Sequence, residues 1–320
     1  MRYLSRLPSP SQGVSNLLGL FEHPARLLPA AWTKTGPIFT VDQLSGGQVD
    51  TEDFVVFKGH DGRYYAFVAA DVNTAFRHIY LIRGSNLNFD NFEEIGMVLD
   101  NPAGNYQDIR IRPRSVVYDE DDERYILYYD VNGTVGGFDV CACTQTKANL
   151  TTVPWTQSPN NPLLNDGNSE GFMAFKQWGT YYAFYFRDDG NVRFAHNPDP
   201  INDWAWMATI PRKSTLGQTR GLLEVMDGYL LSYEYQPVAN WRIGLAFIHK
   251  SLEFVTTHQN VPIISPTLPA EGIEVANGFL YRDIGSPVIH LYYNGWTTDV
   301  ENVFRAHVDL RKAPSWTHGF

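Results

Sequence analysis

The chain has 320 residues, 43% hydrophobic and 19% charged, which is enough to bury a sizeable core and too apolar for bulk disorder. Its net charge of −10 argues against a general nucleic-acid or membrane-surface binder, and no apolar run approaches membrane-spanning length. Aromatic residues reach 14%, mostly Tyr and Phe, and these favour strands.

In chain order, the opening "MRYLSRLPSPSQG" lacks the apolar stretch of a secretory signal, so a cytoplasmic location is the default and the true one stays open. Val14, Leu17, Leu18 and Phe21 have helical spacing and predict one short amphipathic helix over 14–22. It belongs to an N-terminal extension, residues 1–35, ahead of a single domain spanning 36–320. Within "WTKTGPIFT", Trp32–Thr40, the chain has a strand to give to the last repeat, closing a ring.

A Pro beside apolar residues recurs at Pro37, Pro102, Pro162, Pro211 and Pro262. Each is followed by a polar loop and paired apolar runs: "DFVVF/RYYAFVAA", "RSVVYD/RYILYYD", "GFMAF/TYYAFYF", "GLLEV/GYLLSYEY" and "NGFLY/PVIHLYY". These are five units of roughly fifty to sixty-five residues, with Gly, Asn or Asp turns between strands. The runs are apolar on both faces, as stacked sheets require. The sequence predicts an all-β fold, a five-bladed β-propeller in one domain. Cys141 and Cys143, in "DVCACT", share a strand face and read as buried thiols; no finger-like zinc spacing surrounds them.

In a propeller the first strand of each blade lines the axis, so matching positions converge on one pocket. Aligning Phe54 with Phe172 and Phe57 with Phe175 brings Asp53 and Glu170 to nearly equivalent places. Two carboxyl groups across a pocket are the apparatus of glycosidic bond cleavage, one protonated for the leaving oxygen and one ionised as base or nucleophile. Asp50 and Glu52 compete with Asp53 for the second role, and strand parity separates them from it.

These features resemble the five-bladed glycoside hydrolases of family 43 and its relatives in families 32, 117 and 130. The family's Glu-Gly-Pro strand is similar to Glu170-Gly171-Phe172 with the "GTYYAFYF" hairpin after it, and its first-blade Asp-Pro to Asp53-Phe54. The likeness covers about residues 46–310. It implies Glu170 as general acid, Asp53 as general base or nucleophile, and a carbohydrate substrate with no cofactor. A structural cation on the axis, held by some related propellers, is left open. The family's second-blade Asp-Pro, which tunes the acid, is replaced here by Arg112-Pro113. Asp108 is the nearby carboxylate that offers a substitute.

"QDIRIRPRS" sets Arg110, Arg112 and Arg114 on one face of an extended strand, with Arg220 at a comparable place in the fourth blade. Guanidinium groups in a row suit an anionic subsite for uronate, sulfate or phosphate, or a ladder paired with acids of neighbouring blades such as Asp119 to Glu123. Asn277 aligns with Glu170 in the fifth blade. Glu274 lies just before it, and Trp178, Trp241 and Trp296 offer rings for stacking on sugar. Histidines are scattered without metal-binding spacing. The reading is a glycoside hydrolase acting on an oligo- or polysaccharide. A glycoside phosphorylase and a non-catalytic carbohydrate-binding propeller are the alternatives. Oligomeric state is not legible.

Overall fold

The structure is a computed structural model that describes residues 31–48, 50–71, 77–100, 110–133, 137–164, 169–187, 191–202, 204–210, 218–225, 228–236, 240–249, 255–257, 262–297 and 301–311. The expected helix over 14–22 lies outside the described residues. Strand β1 (Thr33–Phe39) comes first. Blade 1 holds β2 (Asp50–Lys58), β3 (Tyr64–Asp71), β4 (Arg77–Gly84) and β5 (Phe92–Leu99). Blade 2 holds β6 (Ile111–Asp119), β7 (Arg124–Gly133), β8 (Gly137–Thr146) and β9 (Thr156–Gln157). Blade 3 holds β10 (Ser169–Gln177), β11 (Thr180–Arg187), β12 (Val192–Asn197) and β13 (Ala205–Ile210). Blade 4 holds β14 (Thr219–Val225), β15 (Gly228–Tyr235), β16 (Arg242–His249) and β17 (Val255–Thr257). Blade 5 holds β18 (Glu274–Tyr281), β19 (Val288–Trp296) and β20 (Glu301–Asp309), and takes β1 as its outer strand.

All five sheets are four-stranded, with sequential antiparallel pairing. Their first strands touch in a closed circle, β2 with β6, β6 with β10, β10 with β14, β14 with β18, and β18 with β2. The fold is therefore the predicted five-bladed β-propeller. β1 pairs antiparallel with β20, from Thr33 opposite His307 to Phe39 opposite Val303. The chain start thus closes the ring and covers an edge that would otherwise invite pairing with another chain. Lys34 fastens this closure, its Nζ lying 2.7 Å from buried Glu271 of the loop leading into β18.

Apolar residues on both faces of each strand are explained by packing. Among the described residues there are five hydrophobic clusters, one at each blade–blade junction. Phe57, Tyr65 and Phe67 meet Tyr125 and Trp155 between blades 1 and 2, and Phe172 meets Tyr128 and Trp204 between blades 2 and 3. Truncating a buried ring such as Phe172 to Ala costs about 3–5 kcal/mol. Cys141 and Cys143 are fully buried free thiols within this packing. Among the described residues no helix is long and apolar enough to cross a membrane.

Candidate active site

Near its start, the innermost strand of every blade is broken by a β-bulge. Pairing slips between Glu52 and Phe54, Pro113 and Ser115, Glu170 and Met173, Thr219 and Gly221, and Ala276 and Phe279. A bulge adds a residue to one strand and re-aims its side chain. The residues placed at these bulges are Asp53, Arg114, Gly171 beside Glu170, Arg220 and Asn277. Three of them are left-handed, with φ of 58° at Asp53, 65° at Gly171 and 55° at Asn277. Asp and Asn tolerate that region better than other side chains. Gly171 is required twice over, because a Cβ there would lie 2.0 Å from the carbonyl oxygen of Thr219.

Each left-handed N–H is held by the preceding blade. Gly171 donates to Asp130 Oδ2 at 2.9 Å, Asn277 to Glu234 Oε1 at 2.5 Å, and Asp53 to Asn294 Oδ1 at 3.2 Å. The two other bulges carry arginines that bind the same acidic acceptors. Arg114 Nε donates to Asp130, and Arg220 Nε to Glu234 Oε1 at 3.0 Å. Arg114 also reaches across to Asp53, Nη1 to Oδ1 at 2.6 Å, and Arg220 Nη1 stands 3.8 Å from that oxygen. Asp53 is thus gripped by two guanidinium groups at the hub.

Glu170 has a different environment. Its side chain is buried, and its Oε2 has no hydrogen-bond partner. Burial raises its pKa above the ordinary glutamate value and Asp130 adds to the rise, outweighing the pull of Arg220, Arg112 and Arg114. Asp53 at one bulge and Glu170 just ahead of another therefore have different settings, one ion-paired and one with its pKa raised by burial.

Among the residues singled out from sequence, Asp53, Glu170, Arg112, Arg114 and Arg220 meet around this hub; Arg112 and Arg220 each feel both Asp53 and Glu170. Arg112 lies 3.2 Å from Glu52, with its guanidinium over the Phe138 ring. Glu52 also pairs with Arg77, which chelates Asp71. Asp50 is half-buried and accepts the Glu301 N–H at 3.1 Å. Arg110 is exposed just ahead of β6, and Asp108 lies outside the described residues. Glu274 accepts the Trp241 N–H at 3.2 Å, bracing the rim, and half-buried Trp296 pairs opposite it. Trp178 sits in the turn after β10, at the end away from Glu170, which over eight residues of strand is roughly 25 Å.

Arg112 and Arg114 pair with acids, though not with Asp119, which binds Lys176 of blade 3 and Arg124 of its own blade. The bulge at Arg114 also breaks the simple alternation that placed Arg110, Arg112 and Arg114 on one face. Sequence reasoning missed Asp130, Glu234 and Asn294. Their signal is nonetheless present three times: each is a polar residue following the apolar run of a second strand, in "YILYYD", "LLSYE" and "LYYN". Among the described residues no group of three or more His, Cys, Asp or Glu side chains is set to hold a metal ion.

No family model and no curated protein matches the chain. Solved structures do match. BT0996, in complex with RGII, superposes with a TM-score of 0.69 at 13% identity, covering 90% of this chain and 95% of that one. The fold is that of the five-bladed glycoside hydrolases. The GH43_1 enzyme from Xanthomonas citri complexed with xylose shares this propeller fold with a TM-score of 0.62 at 13% identity, over 88% and 91% of the two chains. The β-1,2-mannobiose phosphorylase from Listeria innocua does so with a TM-score of 0.66 at 13% identity, over 88% and 98%.

Proposed function

We propose that the chain is a glycoside hydrolase that cleaves an oligo- or polysaccharide at the propeller hub. Glu170 is the general acid and protonates the leaving oxygen. Asp53, ion-paired with Arg114, is the general base or the nucleophile. Asp130 fills the role for which the sequence offered Asp108: it anchors the backbone beside Glu170 and opposes that residue's ionisation. The carrying observation is the contrast between Asp53, ion-paired to Arg114 at the first-blade bulge, and Glu170, one residue ahead of the third-blade bulge, whose pKa burial raises.

A phosphorylase of the kind named among the structural neighbours needs a site for a dianion. The hub arginines, Arg112, Arg114 and Arg220, already face Glu52, Asp53, Asp130 and Glu234, which leaves no excess positive charge and favours hydrolysis. The test is a screen of 4-nitrophenyl glycosides with wild type, Asp53→Asn and Glu170→Gln, with and without phosphate. Turnover lost in both variants without loss of fold, and indifferent to phosphate, supports hydrolysis. Turnover unchanged in Glu170→Gln on an alkyl glycoside of the same sugar, whose leaving group needs protonation, removes Glu170 from the chemistry. Phosphate-dependent turnover moves the assignment to phosphorolysis, and sugar binding with no turnover to a binding propeller.

A further inference from the structure

We propose that Asn277 is a substrate-binding residue that donates a hydrogen bond from its side-chain amide to a neutral sugar hydroxyl at the hub. This rests on the reading of the hub as a carbohydrate site, although not on its being catalytic. Asn277 occupies the fifth-blade bulge, the place that Asp53 holds in the first blade and Gly171, next to Glu170, in the third. Its φ of 55° matches theirs, so its side chain leaves the strand on the same inward course as that of Asp53.

The side chain is not needed to hold the backbone. Glu234 already takes the Asn277 main-chain N–H at 2.5 Å. The residue is 3% exposed, yet its Nδ2 has no hydrogen-bond partner. Glycine would adopt the same backbone more cheaply and would bury no unpaired donor. An asparagine at this position is explained by a ligand that accepts from it.

The charge at the hub selects the class of acceptor. Arg114 and Arg220 face three carboxylates, those of Asp53, Asp130 and Glu234. One negative charge is in excess even with Glu170 protonated, so a carboxylate on the sugar is repelled and a hydroxyl is accepted. Buried Thr219 Oγ1, beside Gly171, is likewise without a hydrogen-bond partner.

The test uses the whole chain with asparagine side chains labelled with nitrogen-15. The Asn277 amide resonance is identified by its absence from Asn277→Gly, and neutral pentoses, neutral hexoses and uronic acids are titrated as probes. The expected result is a shift of that resonance with a neutral sugar, in wild type and equally in Glu170→Gln. Asn277→Gly should melt at or above the wild-type temperature and bind that sugar about tenfold more weakly. Asn277→Asp, which replaces the donor with an acceptor, should bind at least as poorly. No shift with any probe, or undiminished binding by Asn277→Gly, would overturn the proposal. So would tighter binding of a uronic acid than of its neutral counterpart. If wild type hydrolyses nothing while Asn277→Gly loses sugar affinity, the hydrolase reading fails and this one stands.

Discussion

Replacing Asp130 with Asn separates the structural and chemical parts of the hub. Asp130 is fully buried and accepts from both Arg114 Nε and the Gly171 N–H. Removing one partner of a buried ion pair costs about 3–5 kcal/mol. Arg114 keeps Asp53 at 2.6 Å, so the lower end applies, about 3 kcal/mol, or a melting temperature lower by roughly 4–5 °C. The chemical effect is independent of this loss. Asp130 helps to hold the Glu170 pKa up, so its neutralisation lets that pKa fall. Activity needs protonated Glu170 and declines as pH rises through its pKa, so the alkaline limb of kcat/KM moves to lower pH in Asp130→Asn. Denaturant melts and a pH–rate profile on the best aryl glycoside from the screen measure the two effects. An alkaline limb that stays in place or moves upward, with stability lowered, would refute the proposed tuning of Glu170 and leave Asp130 a purely structural residue.

Other outcomes follow from the same geometry. Gly171→Ala combines a left-handed φ, costing about 1–2 kcal/mol, with overpacking against Thr219, costing about 1–3 kcal/mol more; a calorimetric melt should fall by roughly 3–7 °C. Burial alone would raise the pKa of Glu271, but the Leu268 N–H, Lys34, Tyr293 and the Thr267 N–H outweigh it and hold the carboxyl below its ordinary 4.5. A depressed folded pKa contributes stability above the unfolded value and loses it as pH falls through the folded one. The melting temperature of wild type should therefore drop below about pH 4.5, and that of Glu271→Gln should start lower and drop less steeply. Equal acid slopes in the two proteins would remove the Lys34–Glu271 latch from the account.

Much of the ring was legible in the sequence because its signals are repeated. Five paired apolar runs, apolar on both faces, describe blades that pack on both sides, and "WTKTGPIFT" carried the strand that joins β20. The convergence of Asp53, Glu170, Arg112, Arg114 and Arg220 followed from placing equivalent positions around one axis. Parity failed as a guide because each inner strand bulges where the site begins, so Glu52 and Asp53, adjacent in sequence, both reach arginines. The roles of Asp130 and Glu234 could not be read without knowing which backbone N–H of the next blade each would meet. A contact between blades leaves no periodic mark on either partner, although a polar residue follows the second-strand run in three of the blades, at Asp130, Glu234 and Asn294.

The most direct measurement concerns proton donation by Glu170. Glu170→Ala and wild type would be compared on two glycosides of the same sugar, one with a 2,4-dinitrophenyl leaving group that needs no protonation and one with a poorer alkyl or phenyl leaving group. If Glu170 is the acid, the variant keeps a kcat/KM near that of wild type on the dinitrophenyl substrate and loses about 10²–10⁴-fold in kcat/KM on the other. A loss equal for both substrates, or absent from both, would contradict it.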